Sequence, residues 1–414
     1  VSATRPGSAG RAPGGTSFKG LLLFWIALGC ASLVLTVAAQ GSGKTLQVTG
    51  RPASAEHLSQ VAGVPVSQGL EPGERLRCEG RTLQNLDLPQ IPARLLAFSD
   101  HPERVRGRGL LFQAGLLRFA PVRFQYYHEG GRADGPLFLS VRLRNRGSAP
   151  ARVHLIQGAA GPDPDYFAAG HHNNQVFLRR LVAFEGRVEV LAPGDSLQVA
   201  LHRLPYEQVV SGTLQMTLLE GRDLEYALFA MHDPAEPVGF DLLSNPQDVH
   251  ARGVYPAADQ ELERAWELGP TPGLLAFGAV RQPNILAGPE LKGDYGVVVR
   301  AELWLMNPSD HAQKVEVCFN PRGGPATGTF LARVGEGELL DWSVPRPVPA
   351  FVELPLAVLE VPARGQTLLT LWTIPEGASN YPVRVLWRLQ PARTDLQEEC
   401  RRGAGSCSIN HAPG

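Results

Sequence analysis

The sequence predicts an all-β protein: two tandem antiparallel β-sandwiches of Ig-like type after an N-terminal hydrophobic export or anchor helix. Three observations carry this. In Pro136–Gln157 the apolar residues Leu137, Leu139, Val141 and Leu143 share one parity, and Ser140, Arg142 and Arg144 share the other. That is the period of a strand with one buried face. The alternation returns beyond residue 270 with its parity preserved, as a shared core face requires. The chain also holds 45 Gly and 35 Pro among 414 residues, which favours many turns and short strands over long helices.

With 43% hydrophobic and 19% charged residues, the chain reads as folded, and its length suits more than one core. Its formal net charge of -1 supplies no basic surface for a phosphate backbone, so no nucleic-acid partner is expected.

Residues 1–40 read as a signal peptide or membrane anchor. Arg5, Arg11 and Lys19 precede the uncharged run Leu21–Ala39, the layout of an export signal. Val37-Ala38-Ala39 ahead of Gln40 offers small residues for cleavage. Left uncut, the run is long enough to hold the protein in the membrane. Either way the rest of the chain is expected outside the cytoplasm, extracellular or at the cell surface.

Residues 41–92 form an irregular linker segment. Within it Leu58–Val66 and Leu70–Leu76 resemble the tail of a LysM domain, and that resemblance implies peptidoglycan binding.

The first sandwich is expected over 93–233. Its strands are Leu95–Phe98, Val122–Tyr127, Leu137–Leu143, Ala151–Ile156, Leu181–Val190, Leu197–Leu201, Leu214–Leu218 and Tyr226–Ala230. Pro136–Gln157 reads as a hairpin turning at Asn145–Pro150. Residues 234–269, broken by Pro234, Pro237, Pro246 and Pro256, read as the inter-domain connection, with a short helix over Ala257–Leu268.

The second sandwich is expected over 270–391. Leu274–Phe277 repeats Leu95–Phe98, and Leu305 and Asn307 match Leu143 and Asn145. Val315 and Val317 match Val153 and Leu155, and Leu369 and Leu371 match Val199 and Leu201. In the tail, 392–414, Cys400 and Cys407 enclose a short loop and are expected to form a disulfide clasp in an exported protein. Cys78 and Cys318 either pair or stay free.

Two motif lookalikes dissolve on inspection. Gly41–Thr45 resembles a phosphate-binding loop, but Ala38 stands where the first Gly is needed and an export run precedes it. Gly194-Asp195-Ser196-Leu197 spells an esterase signature, yet a Pro-Gly-Asp turn feeding a strand accounts for every residue.

The densest polar constellation is Asp163, Asp165, Tyr166 and His171. Joined by Asp100, His101 or His128 through folding, its carboxylates and imidazoles have the chemistry to hold a divalent cation. The simpler reading is a solvated loop, so no cofactor is expected. Asn320 and Arg322, in a Gly- and Pro-rich loop, suit either an anion or a rigid turn whose Arg packs on a neighbour.

Five segments occur in order: Ser99–Glu103, Arg123–His128, Ala160–Tyr166, Ala251–Pro256 and Asn320–Pro325. Together they resemble an uncharacterised secreted region of Gram-positive-type bacteria, often found beside the stalk domain named after the copper amine oxidase N-terminus. The resemblance covers about 93–390 and implies an extracytoplasmic place, but no catalytic residue.

These readings favour an exported bacterial surface or envelope protein with a structural, adhesive or carbohydrate-binding role and no catalysis. Envelope or surface polysaccharide is the expected partner, and Tyr166, Asn320 and Arg322 are candidate ligand contacts. The alternatives are a cell-wall- or carbohydrate-active hydrolase using the carboxylates of the 160s loop, and a peptidoglycan-binding module.

Overall fold

The computed structural model describes residues 95–118, 120–236, 240–286 and 288–390. The export run, the 41–92 linker with Cys78, and the tail with Cys400 and Cys407 lie outside them. The chain is mostly β and forms two sandwich-like bodies. In the first, one sheet runs β11 (Arg252–Tyr255), β1 (Leu95–Ser99), β4 (Val122–Gly130), β9 (Val209–Glu220), β6 (Ala151–Asp163), β7 (Arg187–Leu191). A short strand, β2 (Arg104–Val105), flanks β4. The facing sheet runs β3 (Gly109–Leu116), β10 (Leu224–Met231), β5 (Phe138–Asn145), β8 (Ser196–Arg203).

In the second body, one sheet runs β12 (Asp259–Glu267), β16 (Val298–Met306), β22 (Gln366–Ile374), β18 (Ala326–Val334), β19 (Leu340–Asp341). Strand β20 (Val344–Val348) also pairs with β18. The facing sheet runs β13 (Gly273–Phe277), β23 (Val383–Leu389), β17 (Gln313–Pro321), β21 (Leu354–Val361). A two-rung ladder joins β14 (Arg281–Gln282) to β15 (Leu291–Lys292).

The apolar parity marks the core face of the strands. Leu139, Val141, Leu303 and Leu305 lie on strands and are buried, as are Leu137, Leu143, Val153 and Leu155. Each body has its own core of such residues.

Several expectations need correction. The sheets are not wholly antiparallel, because β1 and β2 run parallel to β4, and β12 runs parallel to β16. Pro136–Gln157 is not a hairpin: β5 and β6 belong to opposite sheets. Residues 146–150 are enough chain to cross the roughly 10 Å between layers. Asn145 fixes the crossing by donating from Nδ2 to the carbonyls of Ala149 at 2.8 Å and Leu191 at 3.0 Å.

Strand order corresponds across the bodies as β1 with β12, β3 with β13, β4 with β16, β5 with β17 and β6 with β18, then β7 with β19, β8 with β21, β9 with β22 and β10 with β23. The parallel pair recurs in the same place. The sequence match set β1 against β13 and β5 against β16, one strand out of step. A period of two cannot tell one sandwich strand from the next. The local likeness is nonetheless real, since Asn307 donates to His311 O at 2.8 Å and Val361 O at 3.1 Å much as Asn145 does in its own bend.

The 160s are not a solvated loop. They lead into α1 (Tyr166–Val182), whose N-cap Asp165 accepts the amides of Phe167 and Ala168 at 3.0 and 3.2 Å. The helix consumes the start of the expected strand Leu181–Val190, leaving only β7. Conversely, the helix expected over Ala257–Leu268 is β12. Its dense charges suit an edge strand that must not recruit another chain.

Pairing of β11 with β1 closes the first body and pairing of β12 with β16 opens the second. Only 256–258 separate β11 from β12, so most of the expected connection 234–269 is absorbed into one body or the other.

Helix α1 packs on β6 and β9 of the first body and on β18 and β22 of the second. Ile156, Phe177 and Leu178 there share an apolar cluster with Val298, Leu331 and Ile374. The backbones touch as well. A Cβ on Gly170 would lie 2.3 Å from the Gly377 carbonyl, so only glycine fits. The outer rim of β11 is sealed by Asn284, whose Nδ2 donates to Arg252 O and whose Oδ1 accepts from Val254 N, while Ile285 N donates to Val254 O. Among the described residues no helix is long and apolar enough to cross a membrane.

Candidate functional site

Three of the five segments behind the family resemblance meet in space. Ser99–Glu103 ends β1, Arg123–His128 is β4, and Ala251–Pro256 contains β11, three adjacent strands of one sheet. Where β1 and β11 meet, two cavities adjoin and share His250 and Pro289. One, of 480 Å³, is lined by His101, Phe112, Gln113, Ser244, Asp248 and Arg252, among others. The other, of 430 Å³, includes Phe98, Asp100, Glu290, Lys292 and Tyr295. The segment between β13 and β16 closes the cleft from the side of the second body.

The floor is polar and its hydrogen bonds fix most of it. Asp248 Oδ2 accepts the Glu103 amide at 2.7 Å, and Oδ1 accepts the His250 amide at 2.9 Å and its Nδ1–H at 2.6 Å. His250 Nε2 then faces Glu103 at 3.6 Å. His101 Nε2 accepts the Asn245 amide at 3.2 Å, so its proton sits on Nδ1 while the ring is neutral. Arg252 spends its guanidinium on the carbonyls of His101, Leu111 and Leu243. The rim is aliphatic: Leu242, Val249, Ile285 and Leu286 are all exposed, Val249 by 85%.

These surroundings drive the acids apart. Burial, with the charges of Glu103 and Asp248 close by, holds the Asp100 carboxyl well above the usual range. Burial raises Glu103 too. Burial also pushes on Asp248, but the amides of His250 and Glu103 outweigh it and keep that carboxylate below its ordinary value. Desolvation, then Arg252, lowers His101. Asp100 Oδ1 is buried with no hydrogen-bond partner.

Beneath the cleft, Ser99 Oγ lies 3.1 Å from His128 Nε2, and His128 donates from Nδ1 to Pro102 O at 2.9 Å. Both side chains are wholly buried, and burial lowers the imidazole to about 4. A serine–imidazole pair sealed in this way has no access to a substrate.

The residues singled out in the 160s serve the helix. Asp165 caps it, and Asp163 Oδ1 accepts the Asp165 amide at 2.8 Å. His171, on the buried face of α1, donates from Nδ1 to Glu376 Oε1 at 3.0 Å. Glu376 also accepts from Thr327 and Thr329, which closes a polar cluster between the bodies. Tyr166 is exposed at the start of α1, and its carbonyl accepts from Tyr127 at 3.4 Å.

Asn320 is buried and donates to Val352 O at 3.0 Å, while the Arg322 guanidinium stacks 4.6 Å from the Phe351 ring. That is the rigid-turn reading of the loop. Among the described residues no three His, Cys, Asp or Glu side chains gather to hold a metal ion, and Cys318 is a buried free thiol.

The cleft residues Asp248 and His250 escaped the sequence reading. Their signal was present in the run Asp248-Val249-His250-Ala251-Arg252, three titratable groups of one parity leading into β11.

No family model matches the chain, and no curated protein matches it significantly. Among the solved structures with a distant likeness are the following three. The N-terminal CBM22-1-CBM22-2 tandem domain of Xyn10C from Paenibacillus barcinonensis is 12% identical, with 63% of this chain and 80% of that one covered and a TM-score of 0.16. Lac15 from a marine microbial metagenome is 11% identical over 72% of this chain and 61% of that one, with a TM-score of 0.13. A multicopper oxidase from Campylobacter jejuni is 10% identical over 60% and 47%, with a TM-score of 0.10. At these scores the likeness carries no argument about ligand or activity.

Proposed function

We propose that the protein is an exported, extracytoplasmic binding protein of the bacterial surface, and that it holds an envelope or surface polysaccharide in the double cleft beside β1 and β11. The observation that carries this reading is the pairing of two adjoining cavities with a polar floor and an aliphatic rim. Imidazole, amide and carboxyl groups suit sugar hydroxyls, and Phe112, Leu242, Leu286 and the prolines suit the C–H faces of a ring. Volumes of 480 and 430 Å³ fall in the range of small-molecule sites. Binding without catalysis fits a cleft whose histidines are fixed by backbone amides or by Asp248, over a serine–imidazole pair sealed from solvent.

Co-sedimentation of the purified protein with cell-wall polysaccharide tests the site. His250→Ala should cut binding at least tenfold, whereas the double variant Asp163→Ala, Asp165→Ala should leave it unchanged. The reverse pattern would return the site to the start of α1.

A further inference from the structure

The cleft has a chemical polarity that narrows its ligand. Asp100 lines the 430 Å³ cavity, and its Oδ1 is buried without a partner, a costly state for a carboxyl group unless something completes it. The nearby cations do not. Arg252 is turned onto three main-chain carbonyls, Arg104 is held by Glu129, and Lys292, on the cavity wall, is exposed and forms no ion pair with Asp100 among the described residues.

Glu103, three residues on, and Asp248, from the segment ahead of β11, add negative potential at Asp100, and Glu290 lines the same cavity. The other walls combine Val249, Ala251, Pro289 and Leu291 with two aromatic rings. Phe98 and Tyr295 stack with centroids 6.4 Å apart, and ring faces attract ammonium groups. Carboxyl groups below and aromatic faces at the side form a receptor for an organic cation small enough to reach Oδ1.

We propose that the Asp100 cavity takes the ammonium group of an amine-bearing glycan, the rest of the polymer lying across His250 into the 480 Å³ cavity. This rests on the polysaccharide reading above and adds the charge of the sugar. An ammonium donates up to three hydrogen bonds and brings the charge that lets Asp100 ionise in place, so the orphan oxygen gains both a donor and a counter-ion. Beyond His250, Gln113 and Ser244 line the 480 Å³ cavity and offer an amide and a hydroxyl to sugar hydroxyls.

Calorimetric titration of the whole protein with short oligomers of glucosamine, N-acetylglucosamine, glucose and galacturonic acid tests the idea. The glucosamine oligomer should bind at least tenfold tighter than the other three. Asp100→Asn should erase that preference, and Lys292→Ala should leave it unchanged or enlarge it. Should Asp100→Asn not fold, the preference of the wild-type protein and the Lys292 variant decide the matter by themselves. Equal binding of the amine and neutral oligomers overturns the ammonium site and leaves the polysaccharide reading standing. Preference for galacturonate, lost in Lys292→Ala, overturns it in favour of an anion. If no oligomer binds while wall polysaccharide still co-sediments, the ammonium site falls alone; if neither binds, both readings fall.

Discussion

The guanidinium of Arg123, on β4 of the first body, lies 2.7 Å from the carboxylate of Asp259, the first residue of β12 in the second. Arg123 is 1% exposed. It also donates to Gln215 Oε1 at 2.7 Å and to the carbonyls of Ala258 and Gly296, and it sits 5.5 Å from the Phe177 ring on α1. One buried side chain therefore gathers strand, helix and the opening of the next sandwich.

Replacing Arg123 by Leu removes the charge opposite Asp259 and the donor to Gln215 and two carbonyls. The loss should be about 3–5 kcal/mol, as for other broken buried ion pairs. Urea unfolding read by tryptophan fluorescence measures it. A loss below about 1 kcal/mol would mean that the arginine does not hold the bodies together.

His171 and Glu376 act as a unit with Thr327 and Thr329. A double-mutant cycle of His171→Leu and Glu376→Met should show coupling of about 1–3 kcal/mol, because each single change leaves the other polar group buried and unpaired. Strict additivity would show that the pair is incidental.

His128 should make stability depend on pH. Its folded value is about 4 against 6.5 for the free group, so between those values the unfolded chain binds the proton and the folded one does not. Stability is therefore complete above about pH 6.5, falls as pH drops toward 4, and levels off below, by about 3 kcal/mol at most. Asp294, raised by burial to about 6, works the other way, gaining stability as pH falls from 6 to 3.8. The difference between wild type and His128→Gln isolates the histidine, and parallel melting curves across that window would remove it as a source.

Asp165→Ala should cost about 1 kcal/mol through the lost N-cap and leave polysaccharide binding intact. Thermal melting and co-sedimentation read the two separately. A binding defect at unchanged stability would make Asp165 a ligand contact after all.

What the sequence revealed and what it hid follow from the reach of each signal. Strand parity is local, so Leu139, Val141, Leu303 and Leu305 were placed inward correctly. Strand identity is not local, which is why the repeat was matched one strand out of step. The helix at Tyr166 was obscured by His171, His172, Asn173 and Asn174, polar residues that read as solvated. Of these, His171, Asn173 and Asn174 are buried, because their partners Glu376, Ser211, Thr213, Ile374 and Pro375 come from up to 205 residues away. The cleft was half legible. Asp100 and His101 stood out by chemistry, but Asp248 and His250 join them only through the pairing of β11 with β1.

Asn284 carries a last consequence. With the free side of β11 already occupied by that one amide and by Ile285, a second molecule arriving flank-on finds no vacant peptide groups to extend. Molecules at high concentration are thus kept from stitching into ribbons along this margin, and the neighbouring groove stays open.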